Sequence, residues 1–303
     1  MSSILTKDFS PPDPSSFTST LASSTSPSGS SNPSLTPNGR TTTTPIMSNS
    51  NIKYRYATST HNSSAQPSTN QFQRAYYSFP LLDRNHTPRN IAVYSFLIGA
   101  TFGVGISVAV GSNTVPQLGG FLTALAFFHI MEYLLTAMVN ADKLSMDAFL
   151  IHNGISYHIA HTAGLIEFLI ELYFFPELKK TEWAIFIGVL LIMIGQTARS
   201  LAMWHAKHNF SHQIAFQKRR DHELVTTGIY SILRHPSYFG FFYWAVGTQV
   251  LLFNPVCFVG YCVVLHRFFR DRIKHEESLL IKFFGEDYLA YRQRVGVWIP
   301  FIK

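Results

Sequence analysis

The chain has 303 residues, with 24 Lys and Arg against 17 Asp and Glu, a formal net charge of +7 and two cysteines. Two cysteines supply no disulfide framework, which sets aside the small cross-linked secreted classes. The basic residues gather in short runs beside apolar segments and build no basic face on a soluble domain, which sets aside nucleic-acid binding.

Residues 1–88 are dominated by Ser, Thr, Pro and Asn, as in "STLASSTSPSGSSNPSLTPNGRTTTTP". Such a segment has too little apolar surface to offset the entropy of ordering and is expected to be a disordered tail. It carries no basic stretch followed by an apolar core and is not read as a secretory signal. From residue 89 the composition changes. A spanning helix needs about 20 apolar residues to cross about 30 Å of hydrocarbon. "IAVYSFLIGATFGVGISVAV" (91–110) meets that requirement without a charge, and "LGGFLTALAFFHIMEYLLTAM" (118–138) meets it with polar intrusions. "SYHIAHTAGLIEFLIELYFF" (156–175) is more polar, and "WAIFIGVLLIMIGQTARSLAMW" (183–204) again qualifies. After Pro236, "SYFGFFYWAVGTQVLLF" and "VCFVGYCVVLHRFF" are separated by Asn254-Pro255, which predicts a tight helical hairpin. The expected fold is an all-α integral membrane protein of about six spans, with transmembrane helices in 89–204 and a C-terminal region, 205–303, containing the hairpin.

Lys and Arg beside span ends mark the cytosolic side. "QKRRDHE" and "HRFFRDRIKHEE" supply such clusters, and an even number of spans puts both termini with them. Lys179 and Lys180, between the third and fourth spans, argue against this orientation. Cys257 and Cys262 lie in an apolar run, where free Cys acts as a small hydrophobe.

Thirteen histidines raise the possibility of a His-box metal site. His158 with His161, His205 with His208, and His208 with His212 have helical metal-ligand spacing. No double-His box and no repeated cluster accompany them, so interfacial or hydrogen-bonded His is the favoured reading and no metal is expected. Ionisable groups within spans are costly in lipid. His129 and Glu132 share a helix face, as do groups among His158, His161, Glu167 and Glu171. Each set fits either a self-satisfied internal pair or the polar wall of a cavity. Arg272 and Glu276 also sit four apart on one face, across the hairpin from "RHPSY".

"DHELVTTGIYSILRHPSYFGFFYWAVGTQVLLFNP" followed by "FFRDRIKHEESLLIKFFGEDYLAYRQRV" resembles the isoprenylcysteine carboxyl methyltransferase family. The resemblance covers residues 205–303, with a compatible pattern of spans from 91. The shorter "RHPxYxG" core is also similar to that of phospholipid methyltransferases and sterol reductases. The ordered set of "RHPSY", "GTQ…NP" and the final "RI..EE..L...FG..Y..Y" is far more specific.

The resemblance implies an enzyme of the endoplasmic reticulum membrane, multi-pass, with its active site facing the cytosol. It would transfer a methyl group from S-adenosylmethionine to the carboxylate of a C-terminal farnesylated or geranylgeranylated cysteine. Small GTPases and lipopeptide pheromones are the implied protein partners. Carried over by motif, the cofactor contacts are His222, Glu223, Leu224 and Val225 of "HELV", Tyr230 of "GIY", His235, Pro236, Ser237 and Tyr238 of "RHPSY", and Glu276 of "EE". Arg272 is implied as the catalytic residue that meets the substrate carboxylate. Some members carry Gln three residues after the His of "F-x-H", where this chain has Ala215 flanked by Gln213 and Gln217. Arg234 reads as an interfacial anchor, and Phe239, Phe241, Phe242, Tyr243 and Trp244 as an aromatic belt or a prenyl-facing wall. The alternatives are a phospholipid N-methyltransferase, a sterol reductase, or a non-catalytic carrier of prenylated peptides.

The implied chemistry suits these residues. A carboxylate with a reference pKa near 3.5 is already ionised at neutral pH, so methylation needs no general base. The site must instead align and desolvate, and positioning alone contributes about 7–11 kcal/mol to such reactions. Arginine keeps its charge and grips a carboxylate with a planar fork.

Overall fold

The computed structural model of this protein describes residues 84–303. The tail expected to be disordered therefore lies, but for its last five residues, outside the described residues. Seven α-helices follow in chain order among the described residues: α1 (Pro88–Gly111), α2 (Pro116–Val139), α3 (Ile155–Phe174), α4 (Glu182–Ala206), α5 (Pro236–Leu252), α6 (Pro255–Phe284) and α7 (Glu286–Arg294). Prolines open α1, α2, α5 and α6. There the missing N–H is no loss and the fixed φ already suits a helix. Apart from a single parallel bridge between Leu233 and Gly296, no strand pairing occurs among the described residues.

Each of the six segments expected to span coincides with one long helix. By length and composition, α1, α2 and the run Glu182–Asn209 that contains α4 are apolar and long enough to cross a membrane. α3 is interrupted by its acids, and α5, at 17 residues, reaches about 25 Å. α6 is a 30-residue helix that changes character along its length, from "VCFVGYCVVL" to "RFFRDRIKHEE". Beyond Arg272, level with Tyr238 at the start of α5, α6 continues for about three more turns outside the bundle. Phe96, Ile166, Phe186 and Val256 are exposed on the outer faces, as hydrocarbon contact requires.

The most extensive helix contact is between α4 and α5. A Cβ on Gly195 would lie 2.4 Å from the Trp244 backbone nitrogen and 2.5 Å from the Gly240 carbonyl oxygen. Small residues let the two backbones touch, the usual means of tight association within a bilayer. One turn beyond Gly195, this contact sets Arg199 against Ser237.

At the tip of the α5–α6 hairpin, side chains of other segments meet the helix ends. Lys179 Nζ donates to the Leu252 and Phe253 carbonyls at 2.9 and 3.0 Å and pairs with Glu171 at 2.5 Å. Glu167 accepts from the Val256 and Cys257 amides at 2.7 and 2.6 Å. A cation thus sits on the carboxyl end of α5 and an anion on the amino end of α6, both favourable to the helix dipoles. Asn254 Nδ2 donates to the Gly164 carbonyl at 2.8 Å and to Gln249 Oε1 at 3.1 Å. The "GTQ…NP" residues therefore close the hairpin, far along α5 from its start at Pro236.

Lys179 is 2 % exposed. It is a buried cap, and as evidence on membrane orientation it no longer opposes the basic clusters. Those clusters share one end of the bundle with both ends of the described chain. Arg84 pairs with Asp147 there at 2.7 Å, and Asn140 donates to the Phe210 carbonyl at 2.9 Å. Lys179→Met leaves Glu171 and two helix carbonyls without their cation. The variant should lose about 3 kcal/mol of stability, read as a lowered thermal midpoint in detergent. An unchanged midpoint would show that the hairpin tip does not need its cation.

Candidate active site

The segment after α4 turns back over the end of the bundle and delivers "HELV" and "GIY" to the start of α5. Gly228 makes this turn at φ +61°, with its Cα against the His205 ring, where a Cβ would approach to 2.5 Å. The chain then pairs Arg234 N–H with the Gly296 carbonyl at 2.9 Å and enters α5 through Pro236. From the other side, the protruding part of α6 presents Glu276, and α7 packs behind it.

Together these elements enclose a partly open cleft of about 130 Å³. All ten residues expected to contact the cofactor line it: His222, Glu223, Leu224, Val225, Tyr230, His235, Pro236, Ser237, Tyr238 and Glu276. Asn209, Phe210 and Ser211 line it too, whereas Ala215 does not. Leu280, Phe284, Tyr288 and Tyr291 complete the wall; the spacing of α6 and α7 alone did not single them out. Arg272 stands behind Tyr238. Its Nε donates to the Tyr238 hydroxyl at 2.9 Å, its Nη2 donates to the His212 carbonyl at 2.8 Å, and its guanidinium lies over the Tyr238 and Phe268 rings.

Two buried ion networks support the cleft. In the first, Glu132 of α2 takes a two-pronged pair from Arg199 of α4, at 2.5 and 3.0 Å, and a contact from His212 Nε2 at 2.8 Å. Arg199 Nη1 also donates to Ser237 Oγ at 2.8 Å. Glu132 therefore finds its partners on other segments. His129, on the same α2 face, bonds instead to the Phe149 carbonyl and to Tyr157, at 2.7 and 3.1 Å.

In the second network, Glu277 of α6 is 4 % exposed and receives Arg234 Nε at 3.0 Å, His235 Nε2 at 3.3 Å and Arg292 Nε at 3.2 Å. Arg234 Nη1 also donates to the Arg292 carbonyl at 2.9 Å and to that of Val295. Reading Arg234 as an interfacial anchor is thus corrected: it is a buried clamp on the C-terminal segment. The belt reading is corrected for two of the five aromatics, because Phe242 and Trp244 are buried within the bundle. Local apolar context pointed to lipid, but Trp244 stacks on Phe128 of α2 and Phe242 packs against α6 and the C-terminal segment.

Burial alone would raise the Glu277 carboxyl, but the His235 hydrogen bond and the Arg234 and Arg292 charges hold it below its ordinary value. Burial, aided by Arg219, Lys143 and Lys218, lowers the His222 imidazole. Burial pushes the Tyr291 hydroxyl up to about 12 and raises Tyr230 as well, so both stay protonated. Among the described residues, Glu276 Oε2 and His222 Nδ1 are buried with no hydrogen-bond partner, on opposite sides of the cleft. Buried polar atoms are normally satisfied, so two such atoms facing one cleft fit a polar ligand that carries donors. Leu224, Val225, Leu280 and Phe284 offer it an apolar surface. Of the histidines considered as metal ligands, His212 holds Glu132, and His208 Nε2 lies 3.2 Å from the Asp221 carbonyl.

The site and fold define a membrane-embedded enzyme with a polar cleft at one end of a helical bundle. Residues 186–282 match the model of the isoprenylcysteine carboxyl methyltransferase family. A protein-S-isoprenylcysteine O-methyltransferase of Homo sapiens is 43 % identical over 213 residues, covering 70 % of this chain and 75 % of that one. Its namesake from Saccharomyces cerevisiae is 41 % identical over 242 residues, covering 76 % and 98 %. A solved structure of the eukaryotic intramembrane Ras methyltransferase ICMT superposes with a TM-score of 0.70 at 37 % identity, covering 77 % of this chain and 81 % of that one. The chain belongs to the isoprenylcysteine carboxyl methyltransferase family.

The lowered Glu277 carboxyl has a consequence for stability. Its contribution is complete above the ordinary carboxyl value of 4.5 and is lost as pH falls through the lower folded-state value. The thermal midpoint should therefore drop on acidification below that value, and Glu277→Gln should flatten this part of the profile. Identical acid limbs in the two proteins would show that Glu277 does not carry the effect.

Proposed function

We propose that this protein transfers a methyl group from S-adenosylmethionine to the free carboxylate of a C-terminal prenylated cysteine, forming a methyl ester. The observation that carries this reading is the convergence of "HELV", "GIY", "RHPSY" and Glu276 on one cleft, with Arg272 directly behind it. Membership of the family supports the same chemistry.

When bound, the methyl donor would supply a sulfonium methyl that an anionic oxygen can attack, with the neutral thioether as leaving group. The chain's residues bind, align and exclude water. Glu276 is an anion facing the cleft, suited to a cationic or hydroxyl-bearing part of the donor. Leu224, Val225, Leu280 and Phe284 suit a flat ring. Arg272, held by Tyr238 and the His212 carbonyl, is the guanidinium that meets the substrate carboxylate. A fixed guanidinium orients one oxygen while leaving a lone pair of the other free to attack. A carbon–oxygen bond forms as the carbon–sulfur bond breaks, its electron pair passing to sulfur. No proton moves, so no base is called for.

We read 205–303 as the region that binds both substrates and 89–204 as its membrane scaffold, with Glu132 and Arg199 reaching across. The basic segments around Arg219 and Lys274 lie at the end that carries the cleft, which favours a cytosol-facing site. An endoplasmic reticulum location, and prenylated small GTPases or lipopeptide pheromones as substrates, follow from the same reading.

Purified protein given S-adenosylmethionine and a farnesyl-cysteine analogue should produce a base-labile methyl ester. Arg272→Ala should lower kcat/KM about a hundredfold while methyl-donor affinity is kept, and Glu276→Ala should lose that affinity. Methyl transfer to a lipid amine but not to the prenyl-cysteine would contradict the reading.

A further inference from the structure

His235 lies between two glutamates. Its Nε2 faces Glu277 Oε1 at 3.3 Å, and its Nδ1 faces Glu276 Oε2 at 3.7 Å. Glu276 lines the cleft and Glu277 does not. The ring is stacked on Tyr238, with planes 6° apart, so it cannot turn freely. Arg234 and Arg292 also point at Glu277, and among the described residues no other acid pairs with the ring.

A neutral imidazole has one N–H, and its partner decides which nitrogen carries it. A buried carboxylate that accepts from Nε2 holds the proton there and leaves Nδ1 with a bare lone pair. Nδ1 then faces Glu276 Oε2, which has no hydrogen-bond partner of its own. In that neutral tautomer two acceptors face each other with no donor between them, an arrangement that costs free energy until one arrives.

We infer that Glu277 is a positioning residue for the methyl donor: it fixes the His235 tautomer so that Nδ1 and Glu276 Oε2 together accept hydrogen bonds from an ammonium or hydroxyl group of that ligand. This rests on the cleft being the methyl-donor site. Glu277 acts through His235 and does not touch the ligand. The same carboxylate also clamps Arg234 and Arg292, so its two roles need separating.

The substitutions do so. In Glu277→Gln the amide oxygen can still face Arg234 and His235, because the NH2 group is best placed toward Arg292, which is 44 % exposed and free to swing away. That variant weakens the clamp but keeps the acceptor for Nε2. Glu277→Met removes both, and Arg292→Met weakens the clamp alone. Binding of S-adenosylhomocysteine to purified, folded protein is measured by calorimetry, with thermal midpoints recorded alongside.

Glu277→Met should weaken binding about tenfold or more, Glu277→Gln should recover most of that loss, and Arg292→Met should bind as the wild type does. Affinity would then follow the acceptor while the midpoint follows the clamp. Equal losses in Glu277→Gln and Glu277→Met, or full affinity in Glu277→Met, would overturn the inference. If Glu277→Met does not fold, the other two variants decide: a tenfold loss in either of them, folded, overturns it. Wild-type protein that binds no S-adenosylhomocysteine would remove the methyl-donor reading itself, a different failure from a wild type that binds while the variants are indifferent.

Discussion

A carboxylate inside an apolar bundle is tolerable only when a cation or backbone N–H groups from another segment reach it. Each such acid therefore decides which segments must meet. Glu132 ties α2 to α4 through Arg199, Glu171 ties α3 to the turn carrying Lys179, and Glu277 ties α6 to the start of α5 through Arg234. Removing one partner of a buried pair leaves an uncompensated charge, a loss larger than the pair's net contribution. These contacts act as fasteners that fix helix order and depth. The glycine-mediated approach of α4 to α5 then holds Arg199 against Ser237 at the mouth of the cleft.

The positions of the fasteners divide the labour of the fold. Lys179 and Glu167 complete the helix ends at the hairpin tip, where no chemistry is done. Arg199, Arg234 and their acids sit at the other end, around the cleft. A polar methyl donor from water and a lipid-anchored carboxylate can meet only at such a boundary. The stepwise change along α6, apolar at Val256 and charged from Arg267, supplies both environments on one helix.

The fold was legible where periodicity or proline spoke locally. Every long helix was foreseen, as was the hairpin at Asn254-Pro255. The cleft was legible because its residues come in contiguous motifs, and the ten positions assigned by resemblance share one cavity. Partners distant in sequence were not legible. Nothing in "GQTARS" announces that Arg199 meets Glu132, since a lone cation in an apolar run looks the same whether paired or snorkelling. Arg234 misled for that reason and Lys179 for the converse one, being counted as a loop charge when it caps a buried helix end. Tyr288 and Tyr291 line the cleft only because α7 folds back on α6, a turn set by Gly285 at φ +56° that no side-chain pattern reveals.

The most direct test of the account is an experimental structure of the full chain in lipid nanodiscs with S-adenosylhomocysteine bound. Density for the ligand is expected between the His222–Val225 segment and the start of α5, within hydrogen-bond reach of Glu276 and with Arg272 beyond it. Density in another cavity, or Glu276 turned away from the ligand, would contradict it.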